Sequence, residues 1–215
     1  MDPSHARHPA DAPRSLRFPL PAPRTTGGPA LVEALTSRVS LRRFLAAPLS
    51  REDLGQVLWA TDGRIPGTRR RTAPSAGGTY PLEVRAVLGD VPGLPPGVYR
   101  YLPEDHSIEQ ESEGDRRSDL MAATVGQADL AQAPAIVVLS AIPDRTTARY
   151  GARGVPYALL EAGHAAQNLC LQVAALGLGT VAIGAFRDEA LRGVLALGPE
   201  EQPLYLLPIG LPTLG

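Results

Sequence analysis

Residues 157–184 read YALLEAGHAAQNLCLQVAALGLGTVAIG, and the fold turns on how this stretch is read. Pro156 stands just before it, a residue favoured in the first turn of a helix. Gly177 and Gly179 close it, and glycine takes the left-handed cap conformation at little cost. Between these stops Leu159, Leu160, Ala162, Ala165, Ala166, Leu169, Cys170, Val173, Ala174 and Leu176 make a helix apolar on nearly every side. A helix of that kind is expected to be buried on most sides. Glu161, His164, Asn168 and Gln172 follow three-and-four spacing and share one stripe, with Gln167 beside it. Polar groups on a buried helix need partners, which can come from the rest of the chain, a second subunit or a bound cofactor.

Outward from this helix, strands are predicted at residues 180–186 and 204–209, with a short helix at 188–197. Upstream, PAIVVLSAI at 134–142 is a continuous apolar run, as in a strand covered on both faces. Residues 97–101 and 107–111 read as a hairpin turning at Pro103, Glu104 and Asp105, and residues 119–128 as a helix. LEVRAVL at 82–88 is a further strand. Ser50 followed by Asp53 is a helix start resembling a capping box, predicting a helix to about residue 60 with Trp59 in the core. A first helix spans residues 30–37, with Leu31, Ala34 and Leu35 on one face. Helices and strands alternate irregularly around one hairpin, which argues for an α+β layered fold.

The 215 residues suit one sizeable domain. The formal charge of -1 gives no reason to expect nucleic acid or an anionic membrane as partner. All 21 basic residues are arginine, so no side chain can form a Schiff base. Cys170 is the single cysteine, which rules out an intrachain disulfide and favours a reducing cytoplasm. No apolar run is long enough to span a bilayer, and no signal-peptide core is present. Residues 1–29 hold seven prolines among Arg, Ala and Ser and are expected to form an extended or disordered tail; His5 and His8 there lack further ligands for a metal. The folded domain is expected to occupy residues 30–215.

Two short stretches carry ligand chemistry. RVSLRRF at 38–44 clusters Arg38, Ser40, Arg42 and Arg43, the guanidinium forks and hydroxyl that hold a phosphate by charge-assisted bonds. Pro74, Ser75, Ala76, Gly77 and Gly78 form a loop of small residues whose backbone N–H groups a planar or anionic ligand can approach closely. It is neither a Walker loop nor a dinucleotide fingerprint.

With RVSLRRF, APSAGGTYPLE at 73–83, RYGARGVPYALLEAGHAAQNLCLQVAALGLGTVAIGAF at 149–186 and PIG at 208–210 in this order, the chain resembles the FMN-dependent nitroreductase family, and within it the SagB-type azoline dehydrogenases. The resemblance covers about residues 31–210. It implies a mostly antiparallel sheet flanked by helices, in an intertwined homodimer with FMN at the interface. It places Arg38, Ser40 and Arg42 on the FMN phosphate and Pro74 through Gly78 along the flavin ring. Leu160, Glu161, Ala162 and Gly163 fall where family members direct a backbone N–H towards flavin N5, and Ile183 with Gly184 on a strand beneath the cofactor. No metal is implied.

The chain departs from the pattern in two places. SagB-type enzymes commonly carry a Lys-Tyr pair before the long helix, and here the pair is Arg149-Tyr150. Arginine stays protonated, so Arg149 suits orienting a carbonyl or assisting Tyr150, and Tyr150 is the expected proton acceptor while FMN takes the hydride. Only LPTLG follows PIG, so the basic residue that many family members place there is missing; either one of Arg69, Arg70 and Arg71 substitutes for it or the phosphate is held less tightly. The expected activity is oxidation of an azoline heterocycle, such as thiazoline to thiazole, on a peptide or carrier-bound intermediate in natural-product biosynthesis, alongside a possible cyclodehydratase partner. The alternatives are an NAD(P)H-dependent nitro- or ene-reductase and a non-catalytic subunit of a heterocyclase complex.

Overall fold

The computed structural model describes residues 16–213; the tail up to residue 15, with His5 and His8, lies outside them. Seven strands form one sheet in the order β1-β4-β3-β2-β5-β7-β6. They are β1 (Arg17–Pro19), β2 (Leu82–Leu88), β3 (Gly97–Leu102), β4 (Ser107–Glu113), β5 (Ala135–Ala141), β6 (Gly179–Thr180) and β7 (Gln202–Gly210). Every pairing between these strands is antiparallel. The helices are α1 (Leu31–Ser37), α2 (Arg51–Asp62), α3 (Arg117–Ala122), α4 (Asp144–Tyr150), α5 (Gly154–Ala175) and α6 (Asp188–Leu195).

The apolar run at 134–142 becomes the central strand β5, all seven residues of which are buried. Its side chains alternate between two cores, as strand geometry demands. Ala135, Val137, Leu139 and Ala141 join α2 and α5 through Leu54, Val57, Leu58, Ala165 and Leu169. Ile136 and Val138 join Leu120, Met121, Leu191 and Leu195 from α3 and α6. Each fully buried aliphatic side chain contributes about 1.5–3 kcal/mol, so the sheet is fixed by apolar burial on both faces. Beyond the second core that face turns ionic. Arg85 on β2 is buried and donates to Glu201, which also accepts from Ser140, and to Glu111 at 2.7 Å.

α2 starts as its sequence dictates: the Ser50 hydroxyl accepts from the Asp53 N–H at 3.0 Å, satisfying one of the orphan donors of the first turn. Trp59, expected in the core, is only half-buried, because its indole N–H reaches out to the Arg64 carbonyl at 3.0 Å. The predicted tail is ordered in part. Arg17–Pro19 adds an edge strand to β4, Leu20 is buried, and the Leu20 N–H donates to the His106 carbonyl at 3.0 Å. Proline is tolerated on an edge, where its missing N–H breaks no ladder.

Three other expectations change. The helix at 119–128 stops at Ala122 and continues only as a short turn of 3-10 helix at Ala128–Gln132. The strand at 180–186 shrinks to Gly179–Thr180, followed by single bridges from Ile183 to Leu206 and from Phe186 to Thr124. α5 starts earlier than expected and buries one face, through Ala158, Glu161, Ala162, Ala165, Ala166, Leu169 and Val173. Its other face is open within the chain, with Leu159 49% and Leu160 59% exposed, and with Gly163, His164 and Gln167 beside them. His164, on the polar stripe, is therefore exposed and not buried within the chain.

Candidate active site

Two turns hold the glycine loop in shape. Ala76–Gly78 is a turn of 3-10 helix in which Gly77 and Gly78 have φ of 61° and 65°, a region that costs glycine little. Space adds to this requirement at Gly77, where a Cβ would stand 2.5 Å from the Tyr150 hydroxyl and 3.0 Å from Arg149 Nε. Tyr80, at φ 47°, holds the same region without being glycine. Its strain is borne by local bonds: its N–H donates to Ser75 Oγ at 2.9 Å, and the Arg71 guanidinium lies 4.4 Å over its ring. α4, which the sequence reading missed, delivers Arg149 and Tyr150 to this loop. Arg149 Nη1 donates to the Gly77 carbonyl at 3.0 Å, and Tyr150 packs edge-on against Tyr157 at 5.3 Å. The predicted catalytic pair and the predicted loop are thus in direct contact.

Glu161 lies behind the loop, 2% exposed, with neither carboxyl oxygen completing a hydrogen bond. Burial pushes its carboxyl up to about 7, against smaller opposing effects of the nearby Ser75 hydroxyl and Ala76 N–H. Asp62, the last residue of α2, is equally buried and is pushed up to about 6 by burial in spite of its 2.6 Å ion pair with Arg71. Arg71 is therefore committed to Asp62 and Tyr80 and is not free to replace a C-terminal phosphate ligand. Two buried carboxyls thus share one arginine. Sequence reading missed Asp62, although a lone acid closing an apolar helix ahead of an arginine run was a usable signal.

Arg38, Ser40 and Arg42 lie instead at the opposite end of α5. Arg38 caps the C-terminus of α1 and lies close enough to Cys170 to lower its thiol, against a larger upward push from burial. The Leu41 N–H donates to the Thr180 carbonyl at 2.9 Å, which fixes Ser40 and Arg42 beside β6. Among the described residues the guanidiniums of Arg38, Arg42 and Arg43 form no ion pair, whereas those of Arg71, Arg85, Arg100 and Arg145 do. Ile183 and Gly184 lie beside β7, Ile183 bridging Leu206 and Gly184 resting near Tyr205. From Glu161 to Cys170 is nine residues, roughly 14 Å along the helix. Leu160 and Gly163 are exposed, while Glu161 and Ala162 are buried.

Two further members of the polar stripe find partners within the chain. Asn168 donates to the Thr72 carbonyl at 3.2 Å, and Gln172 accepts from Gln56 at 3.2 Å. These two amides line a cleft of about 900 Å³ between α1, α2, α5 and the segment at 24–29. None of the predicted site residues lines that cleft, so its size does not make it the reaction site; the contacts of Gly77, Arg149 and Tyr150 do more to locate it. Among the described residues no group of three His, Cys, Asp or Glu side chains could hold a metal, and no helix is long and apolar enough to cross a membrane.

Residues 35–211 match the nitroreductase family. A Methanocaldococcus jannaschii protein provisionally named a nitroreductase is 41% identical over 180 residues, which is 84% of this chain and 90% of that protein. A crystal structure from Ralstonia eutropha JMP134, with the same provisional name, superposes with a TM-score of 0.79 at 30% identity, covering 93% of this chain and 90% of the other. A chain of the Escherichia coli microcin synthetase McbBCD complex, solved with truncated pro-MccB17 bound, superposes with a TM-score of 0.73 at 25% identity, covering 80% of this chain and 68% of its own. With its antiparallel sheet, its glycine loop and a match over most of its length, the chain belongs to the nitroreductase family of oxidoreductases.

Proposed function

We propose that this protein is an FMN-dependent dehydrogenase that oxidises an azoline heterocycle on a peptide or carrier-bound intermediate. The observation that carries this reading is the packing of Arg149 and Tyr150 onto Gly77, which puts an acid/base side chain and a fixed cation on the loop of small residues. The residues present fit FMN. Arg38, Arg42 and Arg43, which form no ion pair among the described residues, offer with Ser40 a phosphate cradle, and the loop presents backbone without bulky side chains to a planar ring. FMN when bound supplies the two-electron acceptor. Tyr150 relays to water the proton lost from the ring carbon, Arg149 holds the adjacent carbonyl, and the loop keeps both side chains in place. Overall the azoline loses a hydride and a proton, and oxygen is the terminal acceptor.

The phosphate group and the loop group belong to opposite ends of α5, and the open apolar face of α5 lies between them. Leu31, Val32 and Leu35 of α1 are exposed as well. A second copy packed on this face, with the two α5 helices antiparallel, would bring one chain's phosphate cradle to its partner's loop. A homodimer in the cytoplasm with two such sites is the assembly this reading requires. The likeness to a chain of the microcin synthetase complex, solved with truncated pro-MccB17 bound, supports a peptide substrate and a partner within a larger complex, and a cyclodehydratase is the partner this reading proposes.

The test is incubation of the FMN-loaded protein with thiazoline-bearing peptides under oxygen. Product lighter by two hydrogens is expected, and Tyr150→Phe should keep FMN while losing most turnover. Rapid bleaching of the flavin by NADPH without azoline turnover would instead establish a nitro- or ene-reductase.

A further inference from the structure

The carboxyl of Glu161 is given no role by the phosphate cradle, the loop backbone or the Arg149-Tyr150 pair. It is nonetheless the most anomalous group near them, since a buried carboxyl with neither oxygen hydrogen-bonded is rare and costly when charged. The loop offers it two donors. Ser75 Oγ already accepts the Tyr80 N–H at 2.9 Å, so the hydroxyl hydrogen is left to donate elsewhere, and the Ala76 N–H is the second. Both belong to residues next to Gly77, the point where Arg149 and Tyr150 rest.

We infer that Glu161 is a positioning residue that acts through the glycine loop. Neutral, it leaves the loop with Gly77 under Tyr150 and Arg149; ionised, it draws the Ser75 hydroxyl and the Ala76 N–H onto the carboxylate and shifts that contact. The inference rests on the proposed reading only in calling the loop part of the active site. The charged and titratable groups around it are few. Asp62 faces it from α2 and Arg71 from the segment before the loop, with Tyr80 under the Arg71 guanidinium. Glu83 on β2 acts on Asp62, and Tyr101 on β3 feels both Asp62 and Arg71. Arg149 and Tyr150 of α4 meet the loop at Gly77. On α5 itself His164 is exposed. Because Arg71 is spent on Asp62, Glu161 is the member left to hold a proton near neutrality, with a midpoint of about 7.

The test needs no cofactor. Full-length protein labelled with carbon-13 at glutamate side-chain carboxyls and nitrogen-15 at glycine is titrated by NMR from pH ~5 to ~9, spanning the ordinary carboxylate and the raised range. The Glu161 carboxyl signal, identified by its loss in Glu161→Gln, and the Gly77 and Gly78 amide signals should move with one shared midpoint. In Glu161→Gln the glycine signals should stay flat through that range. Asp62→Asn, which keeps Glu161 but removes its acidic neighbour and frees Arg71, should lower the shared midpoint. Glycine signals that ignore the ionisation of Glu161, or that still titrate in Glu161→Gln, would overturn the inference. So would a midpoint unmoved by Asp62→Asn. A shared midpoint in protein that never takes up FMN would support the loop coupling while sinking the flavin reading.

Discussion

Glu161→Gln should make the protein more stable at alkaline pH. In the unfolded chain this glutamate titrates near 4.5, whereas in the fold its carboxyl is held at about 7. Between those values the folded state binds more protons than the unfolded state, so this group's contribution falls as pH rises. It is complete below about pH 4.5 and lost above about pH 7. The full difference corresponds to about 3 kcal/mol, and relaxation and water penetration around the carboxylate reduce it to about 2 kcal/mol. Glutamine has the same shape and no charge to desolvate. Urea unfolding of the cofactor-free protein, followed by circular dichroism at several pH values, gives the difference directly. The variant should exceed the parent by about 0.5 kcal/mol near pH ~5 and by about 2 kcal/mol near pH ~8. Equal stabilities at both pH values, or a variant weaker at pH ~8 than at pH ~5 relative to its parent, would refute the view that Glu161 is buried without a partner.

Gly77→Ala should leave the fold intact but displace Tyr150 and Arg149, since the added methyl would stand 2.5 Å from the Tyr150 hydroxyl; steady-state assays should show at least a ~10-fold loss of kcat/KM, the scale of misplacing a catalytic group. Arg42→Ala and Tyr150→Phe subunits, each inactive alone, should regain about a quarter of parental turnover on mixing through denaturant, because half the reassembled dimers carry one undamaged site if the two halves come from different chains. No recovery would mean that each site lies within one chain. Glu201→Ala removes a partner from the buried Arg85 and should lower the unfolding free energy by about 3 kcal/mol, read as a drop in the urea midpoint with little change in slope.

How much of this was legible in the sequence depended on how local each signal was. The Ser50 cap and the apolar run of β5 were legible because spacing within a few residues dictates them. The extent of α5 was roughly legible, but not its open face. Leu159 and Leu160 are as apolar as Leu169, and apolarity does not say whether a side chain is covered by its own chain or by another copy. β1 escaped because Pro19 and its neighbours read as tail, and only the long-range pairing with β4 makes that segment a strand. α4 was missed although its last two residues were singled out. Its contacts with the loop were not foreseen, because they join residues 72 positions apart in the chain. The Asp62–Arg71–Glu161 group joins α2, the loop segment and α5, which no local pattern connects. The same holds for Arg85 with Glu201, 116 residues apart. The proposed phosphate cradle was read from residue type and the resemblance, and the structure adds that its arginines carry no ion pair among the described residues.

The most direct test of the central claim is a visible absorption spectrum of the purified protein, with the released cofactor identified by mass. Flavin bands and FMN in the released fraction are the expected result, and Arg42→Ala should weaken FMN retention. A colourless protein that takes up no added FMN would contradict the claim, leaving a nitroreductase fold without the chemistry proposed for it.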